Sequence, residues 1–280
     1  MHIATPLALL AALYLACTST VLADTRPHFQ HERSFAHTRL GRDHALPDCQ
    51  PFHADFTDPN TRQEAFNTQL TLVDGSYAFT DKGLEMYMQK PEGKTTKMAN
   101  GTNDKLGRGT TVNATVAFAV GRVTFEISSP LVDGLVVAGI LIGSDSFDEI
   151  DIEFVCEKYQ TWETNIFVEP PNSPPEYNLH FSSNETVDNI SNIHSYTIDL
   201  DANRIQWSLD GVVARTLKRE DCMRNGFSHY PTHRLRPQFG IWDASGPNPG
   251  TTKWAGGPVD WDAVKENSVA AVLKSVTVEC

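Results

Sequence analysis

LVVAGILIGSDSFDEIDIEFVC, residues 135–156, sets two kinds of strand back to back. LVVAGILIG (135–143) is a continuous apolar run, short enough for a strand buried on both faces. SDSFD reads as a turn. From Glu149 onward isoleucines alternate with acids, which is the period of a β-strand. Side chains at i, i+2 and i+4 share one face, so Glu149, Asp151 and Glu153 point one way and Ile150 and Ile152 the other. Three like charges side by side raise one another's pKa, so the pattern asks for a reason. The strand follows a buried one and runs into Phe154-Val155-Cys156, which places it centrally in a sheet. Acids on the open face of a central strand suggest a cleft.

Working outward, most of the chain from Phe52 reads as β. TVNATVAFAVGRVTFEISS (111–129) alternates and is rich in Val, Thr and Phe, with Gly121 as a bend. SYTIDL, RIQWSL and VVARTL (195–217) form a meander, and Asp210-Gly211 is a strong hairpin signal. RPQFGIW (236–242) and AAVLKSVTVEC (270–280) are further strands. WDAVKEN (261–267) is the best short helix candidate. Many short strands between Gly and Asn turns imply an all-β, antiparallel two-sheet sandwich. There is no internal repeat and no dividing linker.

The chain has 280 residues, 40% of them hydrophobic, with a formal net charge of -12. That balance argues against nucleic acid as a partner and suits action on neutral molecules. Apart from the N-terminus, no apolar run approaches the ~20 residues of a membrane span. Residues 7–16, LALLAALYLA, followed by small residues at Val21 and Ala23, read as a signal peptide (1–23), with a membrane anchor as the alternative. Residues 24–48 read as a flexible extension, although His28 and His31 could bind metal. The domain is then 49–280. Removing Cys17 leaves Cys49, Cys156, Cys222 and Cys280. Three pairings are possible in an oxidising compartment; Cys156–Cys222 with Cys49–Cys280 is preferred, and one pair staying reduced is the alternative. No CxxC spacing supports zinc. Sequons at Asn100, Asn113, Asn184 and Asn189 fit a secreted glycoprotein.

The acids are the candidates for chemistry. Glycoside hydrolysis uses two carboxyl groups about the scissile bond, ~5–5.5 Å apart in retaining enzymes. On a flat strand the Glu149 and Glu153 Cα atoms stand roughly 13 Å apart, and long side chains on a twisted strand can close much of that gap. Asp151 between them can orient one and tune both. The order of roles does not follow from alternation, and a solvated acidic face or a structural calcium site would show the same pattern.

E-I-D-I-E resembles the ExDxE signature of glycoside hydrolase family 16 in its unbulged form. The resemblance implies a curved β-jelly-roll sandwich (concanavalin A-like) with a concave substrate cleft, Glu149 as nucleophile, Asp151 assisting and Glu153 as acid/base. DEIDIEF, TNIF (164–167), HSYTIDLDANRIQWSLDG (194–211), QFGIW (238–242), TKWAGGPVDW (252–261) and SVTVEC (275–280) are similar to the fungal cell-wall transglycosylases of the Crh type. That branch implies cleavage of chitin and transfer of the new end to β-glucan, with no redox or nucleotide cofactor.

Aromatic rings stack on the apolar faces of pyranose rings. Trp242 and Trp254, in the motifs quoted, are the first platform candidates, and Trp162 and Phe167, just beyond the acid strand, come next. Asn165 and Arg236 are candidate hydrogen-bonding groups. Trp207 reads as core, Trp261 is open between core and cleft, and His194 reads as an ordinary polar residue since the acids fill the roles a base would take. The expected protein is thus a secreted, monomeric glycosidase or transglycosylase of wall polysaccharide. Its rivals are an endo-β-glucanase resolving the intermediate with water, a β-sandwich lectin, and a calcium-binding adhesion domain.

Overall fold

The computed structural model describes residues 49–170 and 181–280. The expected signal peptide, the 24–48 extension and its His28 and His31 lie outside the described residues. Two antiparallel sheets face each other. One runs β13 (Val212–Lys218), β12 (Arg204–Leu209), β11 (His194–Leu200), β6 (Gly121–Ser128), β17 (Ser268–Glu279), β4 (Gly83–Gln89), β3 (Ser76–Thr80), and β1 (Phe52–Asp55) also pairs with β17. The other runs β10 (Ser183–Thr186), β9 (Thr161–Phe167), β8 (Glu149–Val155), β7 (Leu135–Gly143), β16 (Leu235–Asp243), β5 (Thr110–Ala114), β2 (Leu70–Asp74). The described residues also hold a two-stranded ribbon, β14 (Met223–Arg224) and β15 (Phe227–Ser228), helices α1 (Arg62–Gln69) and α2 (Pro249–Trp254), and a 3-10 turn at Arg219–Cys222. This is the expected jelly-roll sandwich.

The alternation in the sequence explains which residues meet between the sheets. Ile150, Ile152 and Phe154 of β8 are wholly buried, as are Val123, Phe125 and Ile127 of β6. Phe154 and Trp162 both meet Tyr196 edge-on, at 4.7 and 5.3 Å between centroids. Trp207 is core as expected: it is fully buried and its indole N–H donates across the sandwich to the carbonyl of Asp151 at 3.0 Å. Trp261 is buried as well, donating to Asp243.

The 111–129 run divides between two sheets, β5 in one and β6 in the other. The β12–β13 hairpin turns at Asp210 and Gly211 with φ of 49° and 79°, both left-handed, as a type I′ turn requires. WDAVKEN is not a helix. Residues 261–263 form one turn, and Lys90 then binds the carbonyls of Val264 and Asn267, drawing the chain into β17. Helix α1 carries weak apolar periodicity, with Phe66 its single buried residue.

The antiparallel pairing of β1 with β17, Phe52 opposite Val278, brings the chain segments beyond them together, and Cys49 bonds Cys280 across 231 residues. The preferred Cys156–Cys222 bond is not formed: both thiols are free and buried. They sit at opposite ends of β8. Cys156 closes its C-terminal end beside Ser129, at 3.3 Å. Cys222 accepts a backbone bond from His229, whose ring meets Val168 just past the end of β9 that lies opposite Glu149. Burial pushes the two thiols up to about 12 and about 11. Among the sequons, Asn100 and Asn184 are exposed and Asn189 half-buried. Asn113 is a correction: it is buried inside β5 with its side chain accepting from Gln238 at 2.6 Å, so the folded chain cannot present it for glycosylation.

Candidate active site

β8 lies between β9 and β7, away from either edge of its sheet. Glu149, Asp151 and Glu153 stand opposite Ile142, Ile140 and Ala138 on β7, and opposite Phe167, Asn165 and Glu163 on β9. Residues directly opposite project to the same face. The register continues from β7 to Arg236, Gln238, Gly240 and Trp242 on β16. Part of this row, including Glu149, Ile140, Ile142, Gln238 and Trp242, lines an open groove. Four acids, an arginine, two amides and an indole thus share one face, and the opposite face of the same strands is core.

The electrostatics follow from burial. Asp151 is 1% and Glu153 6% exposed, and Glu149 is half-buried. Burial, reinforced by the charges of Glu149 and Glu153, pushes the Asp151 carboxyl well above the ordinary range. Burial, then the charges of Glu163 and Glu149, does the same to Glu153. Glu153 Oε1 meets no hydrogen-bond partner among the described residues. A carboxyl whose ionisation is opposed can donate a proton while a neighbouring carboxyl attacks.

One wall of the groove is aromatic. Trp242 and Trp254 lie nearly parallel, 19° between planes and 6.3 Å between centroids. Trp254 ends α2, which begins with Asn248 capping Gly250 N–H at 2.8 Å and Pro249 in the first turn. Beyond the helix, Gly256 takes φ 90°, and a Cβ there would meet the Glu157 side chain at 2.7 Å, so the Ala-Gly-Gly turn is what lets Trp254 sit against the sheet.

The other expected site residues divide. Phe167 and Asn165 are on the acid face, although Asn165 Oδ1 is engaged by the Ile166 and Phe181 N–H groups. Arg236 is also there; it is 5% exposed, and burial holds its guanidinium below the usual range. Trp162 is a correction: it is fully buried on the opposite face with Thr164 and Ile166, so it is core and not a sugar platform. His194 lies on β11 in the other sheet, with ring nitrogens 2.8 Å from Asp210 and 2.7 Å from Asp188. Two residues on the acid face were not anticipated from the sequence. Gln238 was recoverable from its parity with Arg236 and Trp242. Glu163 needed the β8–β9 register, which no local pattern encodes. Among the described residues no group of three or more His, Cys, Asp or Glu is arranged to hold a metal ion, and no helix is long and apolar enough to cross a membrane.

An antiparallel sandwich whose open groove combines adjacent carboxyl groups with parallel indole rings has the build of a carbohydrate-active enzyme. Residues 65–263 match the family model for glycosyl hydrolases family 16, and the chain belongs to that family. Crh-like protein 2 of Aspergillus fumigatus is 36% identical over 168 residues, 57% of this chain and 37% of that protein. Congo red hypersensitive protein 2 of Saccharomyces cerevisiae is 31% identical over 180 residues, 61% of this chain and 37% of that protein. The chain spans a little over a third of the length of these curated relatives. The solved structure of a Crh5 transglycosylase in complex with NAG aligns with a TM-score of 0.65 at 26% identity, over 83% of this chain and 88% of that one. The laminarinase catalytic domain of Thermotoga maritima MSB8 shares the fold, with a TM-score of 0.59 at 14% identity.

Proposed function

We propose that this chain is a secreted retaining transglycosylase of fungal wall polysaccharide, cleaving chitin and passing the new end to β-glucan. The observation that carries the reading is the placement of Glu149, Asp151 and Glu153 on one groove face beside the Trp242–Trp254 pair. The likeness to Crh-like proteins supports the choice of polymer. Glu149 attacks the anomeric carbon and forms an ester, while Glu153 gives its proton to the departing sugar oxygen. Asp151, held neutral by its surroundings, hydrogen-bonds and orients Glu149. Glu153, now ionised, takes the proton of an acceptor hydroxyl as that oxygen displaces Glu149 and restores the glycosidic bond. Trp242 and Trp254 hold sugar rings by their faces, and Arg236, Gln238 and Phe167 complete the groove.

The test is to incubate the purified protein with chitin oligomers and fluorescent β-glucan oligomers and to follow products by mass. Hybrid chains are expected. Shortened β-glucan chains alone would replace the reading with endo-β-glucan hydrolysis, and bound but unaltered sugars with a lectin. Residues 1–23 are read as the secretion signal, and N-terminal sequencing of secreted protein checks it by a start at Asp24.

A further inference from the structure

Glu163 has no role in this scheme, yet its carboxylate makes two defined side-chain contacts. It stands directly opposite Glu153 across the β8–β9 pair, where like charges destabilise a sheet. The fold tolerates the pairing because Glu163 is engaged twice. Its Oε1 meets Lys158 Nζ at 2.7 Å, and its Oε2 accepts from the Trp254 indole N–H at 3.0 Å. Its side chain is 13% exposed. Trp254 in turn lies parallel to Trp242, so one carboxylate links the acid strand, the turn after it and the aromatic wall.

We propose that Glu163 is a positioning residue for this reaction: clamped between Lys158 and Trp254, it fixes the tryptophan wall against the acid strand and sets a negative charge beside Glu153. The inference rests on the reading of Glu153 as acid/base. Sugar bound on the Trp254 face is thereby held in register with the carboxyl that must protonate or deprotonate it. The charge has the sign the chemistry needs, because it opposes ionisation of Glu153, whose carboxyl already lies well above the ordinary range. The groups facing Glu153 are Glu149 and Asp151 along its own strand, uncharged Ala138 on β7, and Glu163 on β9 with Lys158 behind it.

Three substitutions separate the two actions. Glu163→Gln keeps an acceptor for Trp254 and removes the charge, so the alkaline limb of kcat/KM should move to lower pH with KM within about twofold. Trp254→Phe keeps a ring and removes the tether, so KM should rise several-fold with the alkaline limb in place. Lys158→Met uncovers the Glu163 charge and should move the limb to higher pH. A Glu163→Gln limb at the wild-type position, or a Trp254→Phe KM equal to wild type, overturns the proposal. Carbon-13 NMR of glutamate-labelled protein reads the Glu153 titration without turnover, and it should move down in Glu163→Gln. Should wild type process neither polymer, the functional reading fails, and the NMR titration still decides whether Glu163 acts on Glu153.

Discussion

Glu126 and Glu153 are both glutamates on central strands of facing sheets, and the protein treats them oppositely. Glu126, on the outer face of β6, is met by Lys274 Nζ at 3.0 Å and Ser275 Oγ at 2.5 Å. Burial pushes its carboxyl up, but Ser275 and Lys274 outweigh that and hold it below the ordinary range. Arg122 and Arg204 likewise flank Asp199 on the same sheet. Glu153 has neighbours of its own sign and is held well above the ordinary range. A strand acid that serves the fold arrives with its cation. An acid left among acids, as Glu153 is, fits the chemistry proposed for it.

The sharpest way to break this contrast is to neutralise one acid from each sheet. Glu149→Gln should remove activity by more than three orders of magnitude, and Glu153→Gln should cost on the order of 10²–10⁴-fold. Glu126→Gln should leave turnover at the wild-type level. Assaying hybrid products from chitin and β-glucan oligomers checks all three, and an active Glu149→Gln protein would sink the catalytic assignment.

The same two-faced logic applies to the tryptophans, with the next largest effect. Trp162→Ala empties a fully buried site and should cost about 3–5 kcal/mol of stability, read by urea unfolding. Trp242→Ala should unfold close to wild type while raising KM, since its partner is a stacked Trp254 on an open wall. If the two variants exchange phenotypes, the assignment of faces on β9 and β16 is wrong.

Local period was enough to read part of this and not the rest. The i, i+2, i+4 spacing of Glu149, Asp151 and Glu153 is a property of one strand, so their shared face was legible before any fold was known. The Asp210-Gly211 hairpin was legible for the same reason, because two successive left-handed residues are a local demand. Trp162 was misread because nearness to the acid strand in sequence says nothing about side; parity with Ile166 does. Asn113 carries a valid sequon but is buried by its pairing with Gln238, 125 residues away. Cys156–Cys222 was the preferred one of three pairings, whereas opposite ends of β8 hold the two thiols apart and the alternative of one reduced pair is what the fold shows. Glu163 acquires meaning through its pairing with Glu153 on the neighbouring strand and through Trp254, 91 residues on; the first needs the strand register and the second is a long-range contact.

Asp151 sharpens the contrast at smaller amplitude. Its folded carboxyl lies above the ordinary value near 4, so the folded state keeps the proton that the unfolded chain releases. The sign is therefore that wild-type stability is full below about pH 4 and declines as pH rises toward the folded pKa. Asp151→Asn removes that loss. Tm should rise at pH 7 by roughly 2–4 °C for each kcal/mol recovered, and the gain should vanish near pH 3. Activity should fall in the same variant, since an amide in place of the carboxyl alters the hydrogen bond proposed to orient Glu149. A Tm unchanged or lowered at pH 7 would mean that Asp151 is ionised and paired.

Glu126 gives the smallest effect and the opposite sign. Its folded pKa is depressed, so its contribution is present above the unfolded value near 4 and lost as pH falls through the folded one. Glu126→Gln should cost about 0.2–1 kcal/mol at pH 7, the scale of a partly exposed ion pair, and the deficit should close on acidification. The Asp151→Asn gain and the Glu126→Gln deficit thus converge on zero from opposite sides as pH falls. Urea midpoints of the two variants against wild type at pH 7 and pH 3 measure that convergence. If both variants shift in the same direction at pH 7, the division between partnered and unpartnered acids does not hold in this protein.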